Sequence, residues 1–205
     1  MSIYDVRING VDGSQDVLKS LKGKVCLFVN IASKAGYQPS CSRLWSHVRT
    51  VRQLFELEKL HNMFDDFSVV AFPCNQFGKM EPLDNPQICE FIKNNYPFVT
   101  FPVTEKIIVN GNEEHEIFKI LKGPEVRLKD DNPADTSDAA AAGHNTAGGA
   151  MYRIPHNYEK FLVDKNGNVV NRFSWRDMPL ATEPGSSGAP MTIIEAIELH
   201  TRKRV

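Results

Sequence analysis

The sequence predicts an α/β fold, a three-layer α/β/α sandwich, on three observations. Val25 to Ile31 is an unbroken apolar run, as a strand buried on both faces requires. Leu44, Val48, Val51, Leu54, Phe55, Leu57 and Leu60 then recur at spacings of three and four, the period of a helix with one apolar face. Ser68 to Phe72 is a second apolar run, so the chain reads strand, helix, strand, the unit of a parallel sheet with a crossover helix.

Each further element has its own local reason. Ile3, Tyr4, Val6 and Ile8 stand beside Asn9-Gly10 and Asp12-Gly13, which predicts a first strand ending in turns, an N-terminal β-hairpin extension of the sandwich. Leu18 and Leu21 precede a break at Gly23. Gly36 and Pro39 interrupt the chain after Ile31. Pro39 suits the first position of a helix from Ser40 to about Phe64, because the N–H it lacks has no partner there. Pro73 ends the second strand. Asn85-Pro86 opens a short helix through Ile88, Phe91 and Ile92. Phe101-Pro102 marks a bend, Lys106 to Val109 leads into an Asn110-Gly111 turn, and a helix carries Ile117, Phe118, Ile120 and Leu121. From Gly123 to Gly149 large apolar residues almost vanish, so residues 123–149 are expected to form a mobile loop within one domain spanning 1–205. Two apolar runs, Tyr158 to Val163 and Asn168 to Phe173, flank Asp164-Lys165-Asn166-Gly167, a strong hairpin signal. A last amphipathic helix covers Ile193 to Leu199. This order of elements suggests a thioredoxin-like sandwich.

Composition removes several function classes. The 205 residues suffice for one sizeable core, and 24 basic against 25 acidic residues give a formal net charge of -1, no footprint for nucleic acid or an anionic membrane. No apolar run has transmembrane length, and Met1 to Asp5 begin no basic-then-apolar leader, so a cytoplasmic address is expected. Cys26, Cys41, Cys74 and Cys89 form no Cys-x-x-Cys pair and no zinc-ligand spacing, so neither a disulfide framework nor a metal is expected.

Three strings then carry a specific resemblance. They are Asn30-Ile31-Ala32-Ser33-Lys34, Ala71-Phe72-Pro73-Cys74-Asn75-Gln76-Phe77-Gly78 with Glu81-Pro82 after it, and Glu159 to Val170. In this order, on the predicted strands, they resemble the glutathione peroxidases over nearly the whole chain. The resemblance implies a thioredoxin-like fold and thiol-dependent reduction of hydroperoxides in the response to oxidative stress. It implies a hydroperoxide and a thiol reductant (glutathione or a thioredoxin-type protein) as partners and no cofactor. A homo-oligomer is compatible with it, with the 123–149 segment as a candidate contact.

The resemblance also fixes where the chain departs from the pattern. The family's peroxidatic cysteine or selenocysteine falls on Ala35, whose methyl group cannot ionise or attack a peroxide oxygen. The family's glutamine falls on Gln76 and its asparagine on Asn157, while its tryptophan position is held by His156. Two of four members are thus replaced, and peroxidase activity is expected to be weak or absent. A trapping Cys→Ala substitution leaves the tryptophan in place, so the double change favours natural divergence over an engineered variant. A non-catalytic binding or regulatory homologue is the other alternative. Gln76 and Asn157 then read as buried amides that satisfy backbone groups. His156 could serve as an acid/base group or a thiolate partner, since its unperturbed pKa lies near neutral, but a lone histidine reads first as a half-exposed side chain. Cys26 and Cys74 read as buried and inert. The resolving-cysteine position of thioredoxin-dependent members falls near Lys93, about one turn from Cys89. Cys41, in the first turn after Pro39, is the one speculative alternative thiol. The stretch from Ala35 to Cys74 is longer than the family's usual spacing, so the first helix is extended or preceded by an insertion.

Overall fold

The computed structural model describes residues 2–35, 44–123, 153–185 and 190–201, with the backbone alone for 44–48. Among the described residues, four strands form a sheet of order β2-β1-β3-β4, with β1 at Val25–Ile31, β2 at Phe67–Pro73, β3 at Lys160–Val163 and β4 at Val169–Phe173. β1 pairs in parallel with β2, from Val25 opposite Phe67 to Ile31 opposite Pro73. β3 runs antiparallel to β1, with Val29 opposite Lys160, and β4 is the antiparallel edge. All residues of β1, β2 and β3 are buried, whereas four of the five in β4 are at least partly exposed. That is why the first two strands are written as continuous apolar runs.

Side-chain alternation divides the core between the two faces of the sheet. Val25, Leu27, Val29 and Ile31 pack with Leu54, Leu57 and Leu60 of helix α1 (Leu44–His61). Ile88 and Ile92 of α2 (Asn85–Asn95) and Ile193, Ala196 and Ile197 of α4 (Ile193–Thr201) join the same cluster. Cys26 and Phe28 face the other way, against Ile117, Phe118 and Leu121 of α3 (Glu116–Lys122) and against Ile3, Tyr4, Val6 and Ile8. The predicted α/β/α layering and the thioredoxin-like class follow from these two clusters. α2 begins where Asn85-Pro86 predicts, closed by a capping box in which Asp84 accepts from the Gln87 N–H and the Gln87 side chain bonds back to Asp84. The β3–β4 hairpin turns through Gly167, at φ 89, with the Asp164 carboxylate accepting from the Asn166 and Asn168 N–H groups.

Two expectations need correction. The N-terminal hairpin is absent from the described residues. Ile3–Asp5 is a 3-10 turn, because Ser2 and Asp5 cap each other, and the segment meets the sheet layer through side chains and a lone bridge from Gly10 to Thr104. Tyr4 fastens it there, donating its hydroxyl proton to the Lys24 carbonyl at 2.7 Å. Helix α1 stops at His61, short of Phe64. Lys106 to Val109 leads into the turn at Asn110, with the Lys106 N–H donating to Asn85, the Ile107 N–H to the Pro73 carbonyl and the Val109 N–H to Gln76. Pro39, Cys41 and residues 124–149 lie outside the described residues. Gly123, at φ 83, caps the end of α3.

Candidate functional site

β1 leaves the sheet into Ala32-Ser33-Lys34-Ala35, and the Ala35 N–H closes a tight turn on the Ala32 carbonyl at 3.1 Å. Ala35 is 5% exposed, so its methyl group is part of the core. Two distant elements clamp this turn. The fully buried Glu81 carboxylate accepts from the Ser33 N–H at 2.5 Å and the Ser33 hydroxyl at 2.7 Å. From α2's C-terminal side, the Tyr96 hydroxyl donates to the Ser33 carbonyl at 3.1 Å. Burial holds the Glu81 carboxyl above the ordinary carboxylate range, with the Ser33 bonds acting in the opposite sense.

The exit of β2 lies alongside, since the Cys74 N–H donates to the Ile31 carbonyl at 2.9 Å. The Gln76 amide is fully engaged elsewhere. Its Nε2 donates to the Asn110 carbonyl at 2.8 Å, and its Oε1 accepts from the Val109 N–H at 2.8 Å and the Asn110 N–H at 3.0 Å. Gln76 thus satisfies backbone groups of the turn before α3, although the residue as a whole is exposed rather than buried.

The entry to β3 is stitched to β1 by one side chain. Asn30 Nδ2 donates to the His156 carbonyl at 3.0 Å and its Oδ1 accepts from the Glu159 N–H at 3.1 Å. The Asn30 carbonyl accepts from the Tyr158 N–H at 2.6 Å. This places His156-Asn157-Tyr158 at the same end of β1 as the Ala35 turn. Tyr158 adopts φ 73, a left-handed conformation that is strained for an aromatic residue. Asn157 is wholly buried and neither of its side-chain polar atoms has a hydrogen-bond partner. That corrects the expectation of an amide that merely satisfies the backbone, since neither atom bonds to a backbone group.

His156 is half-buried and its ring stacks on Trp175, centroids 4.7 Å apart and planes at 27°, with Phe77 near-parallel at 6.3 Å. Burial lowers the His156 pKa below its ordinary value, and Arg49 and Arg176 push in the same direction. Both guanidinium groups lie 4.8 Å from the Trp175 ring. An indole therefore stands beside His156, supplied by Trp175, a residue that the sequence motifs do not single out. The signal for it was present. With Lys160 opposite Phe173 in the hairpin, a side chain just past β4 falls level with the entry to β3.

Three thiols lie among the described residues. Burial pushes Cys26 up to about 12. Cys74 is buried against Gln76 and is likewise raised by burial. Cys89 is half-buried on α2, and Lys93 is exposed on the same helix. Among the described residues no cluster of three His, Cys, Asp or Glu is placed to hold a metal ion, and no helix is long and apolar enough to cross a membrane.

The family model for glutathione peroxidase matches residues 3–122. Glutathione peroxidase-like peroxiredoxin 2 of Saccharomyces cerevisiae is 38% identical over 175 residues, covering 84% of this chain and 87% of its own. Hydroperoxy fatty acid reductase gpx1 of Synechocystis is 37% identical over 174 residues, covering 84% of this chain and 86% of its own. Among solved structures, the apo form of Trgpx superposes with a TM-score of 0.54 at 29% identity, covering 98% of this chain and 99% of that one. The GPX1 of T. cruzi gives 0.55 at 25% identity, covering 98% and 94%.

Proposed function

Because this chain belongs to the glutathione peroxidase family of thiol-dependent peroxidases, we propose that it is a member that keeps the scaffold and has lost most or all peroxide turnover. The observation that carries this reading is Ala35, buried in a turn that Glu81 and Tyr96 hold in place. Reduction of a hydroperoxide begins with a sulphur or selenium anion attacking the distal oxygen, breaking the O–O bond and releasing the alcohol. A methyl group has no lone pair to offer. The neighbouring amide does not substitute, because Gln76 is committed to the turn at Val109 and Asn110. The unpartnered Asn157 amide supports the view that the surroundings were built for an anion that is no longer made.

In this reading the substrate class is hydroperoxides, fatty-acyl hydroperoxides included, and the reductant is glutathione or a thioredoxin-type protein, in the cytoplasm. Any residual turnover is assigned to Cys41, and the loss of the nucleophile is natural. A peroxide-consumption assay with both reductants tests the proposal. Turnover at the level of buffer alone, or weak turnover abolished in Cys41→Ser, agrees with it. Rapid turnover unaffected by that substitution sinks it. A cysteine or selenocysteine codon at position 35 of the native coding sequence would contradict natural loss.

A further inference from the structure

Lys160, the first residue of β3, is wholly buried. Its Nζ donates to three backbone carbonyls, those of Tyr158 at 2.8 Å, Asp177 at 2.9 Å and Ser174 at 3.4 Å. The first belongs to the strained residue that follows Asn157. The other two bracket the turn that carries Trp175. That turn is itself a built unit: Ser174 N–H donates to the Asp177 carboxylate at 2.8 Å, and Trp175 N–H donates to Glu159 at 3.1 Å. Gln53 of α1 donates to the Trp175 carbonyl at 3.0 Å. An ammonium group has three N–H donors, and here all three are used.

We propose that Lys160 is the positioning residue of this site: its ammonium group latches the Ser174–Asp177 turn to the entry of β3, holds Trp175 over His156, and loosens that stack when it loses its proton. A neutral amine has two N–H donors and a lone pair, so one of the three carbonyls must be released. Ser174, the longest contact and the one nearest in sequence to Trp175, goes first. The switch falls in an accessible range, because burial brings the Lys160 pKa down to about 7. The carboxylates of Glu159, Asp177 and Glu56 face the ammonium and favour its charge, while Arg49 opposes it. Arg172 shares the charge of Glu159 at 2.8 Å, and Arg176 lies over the Trp175 ring. Lys160 acts on the site through the turn and touches no reacting atom.

The chain has two tryptophans, Trp45 and Trp175, so a Trp45→Phe background leaves Trp175 as the sole indole emitter. Its emission is followed from pH 5.5 to 9, with far-UV circular dichroism recorded at each point. The expected result is a red shift centred near pH 7 at constant secondary structure. The step persists in His156→Gln, which removes the neighbouring imidazole. In Lys160→Met it is absent, with emission red-shifted throughout. A flat profile, a step that survives Lys160→Met, or a step that vanishes in His156→Gln overturns the proposal. Should Lys160→Met fail to fold, the 15Nζ shift of Lys160 in the Trp45→Phe protein decides. Titration that coincides with the emission step supports the latch, and titration above pH 9 refutes it.

Discussion

Glu81→Ala removes the clamp on the turn that holds Ala35. The structure places two charge-assisted hydrogen bonds in this contact, at 2.5 and 2.7 Å, between fully buried groups. Each such bond contributes about 1.5–3 kcal/mol, so the pair gives roughly 3–6 kcal/mol. Burying the carboxylate works against this, as the upward displacement of its pKa records, and places the net loss near the lower end, at about 3 kcal/mol. Glu81→Gln keeps one acceptor oxygen, and the Ser33 hydroxyl can rotate to accept from the new amide, so its loss is about 1 kcal/mol. Urea denaturation at a series of pH values measures both. The sign of the pH dependence follows from the raised pKa. Above the ordinary value of 4.5 the folded state holds a proton that the unfolded state has released. The proton-linked part of the Glu81 contribution is therefore complete below that value and declines as pH rises through the folded pKa, above which the carboxylate is ionised and its bonds to Ser33 are charge-assisted. Glu81→Gln has no such decline. Stability of Glu81→Ala within 0.5 kcal/mol of the parent, or an identical pH slope in Glu81→Gln, refutes the reasoning.

Two further substitutions test neighbouring parts of the account. Asn157→Leu, which exchanges a buried and unpartnered amide for an apolar group of similar volume, is expected to stabilise the fold by about 1–2 kcal/mol in urea denaturation, opposite in sign to most buried substitutions. Destabilisation of that size would show that the amide has a partner. Trp175→Ala uncovers the His156 ring, so NMR titration should find its pKa rising from its lowered position towards the ordinary histidine value; no movement, or a further fall, contradicts burial as the dominant cause.

The parts of the fold that were legible in the sequence are those set by local pattern. β1 and β2 are buried on both faces and so are continuous apolar runs. α2 starts at a capping box, and the β3–β4 turn is written as Asp-Lys-Asn-Gly. Ile3 to Asp5 misled because alternating burial at Val6 and Ile8 imitates a strand, while Ser2 and Asp5 close a 3-10 turn that hydrophobic periodicity does not register. In the site, the family resemblance pointed to Ala35, Gln76, His156 and Asn157, but not to what each one touches. The Ser33–Glu81 clamp joins residues far apart in sequence, and Trp175 reaches His156 through strand register. Neither contact has a signature within a short window. Only the structure distinguishes Gln76, whose amide is satisfied, from Asn157, whose amide is not.

The central claim is that peroxide chemistry stops at Ala35 for want of an attacking atom, and the reverse substitution Ala35→Cys tests it most directly. Loss of a covalent nucleophile costs about a millionfold in rate in enzymes where it has been measured. Exchanging one donor to the developing charge, as His156 does for an indole, takes back about 10²–10³-fold. Peroxide consumption with glutathione or a thioredoxin-type reductant is therefore expected to rise by about a thousandfold or more in Ala35→Cys over the parent chain. A parent chain that already turns over within tenfold of Ala35→Cys contradicts the account.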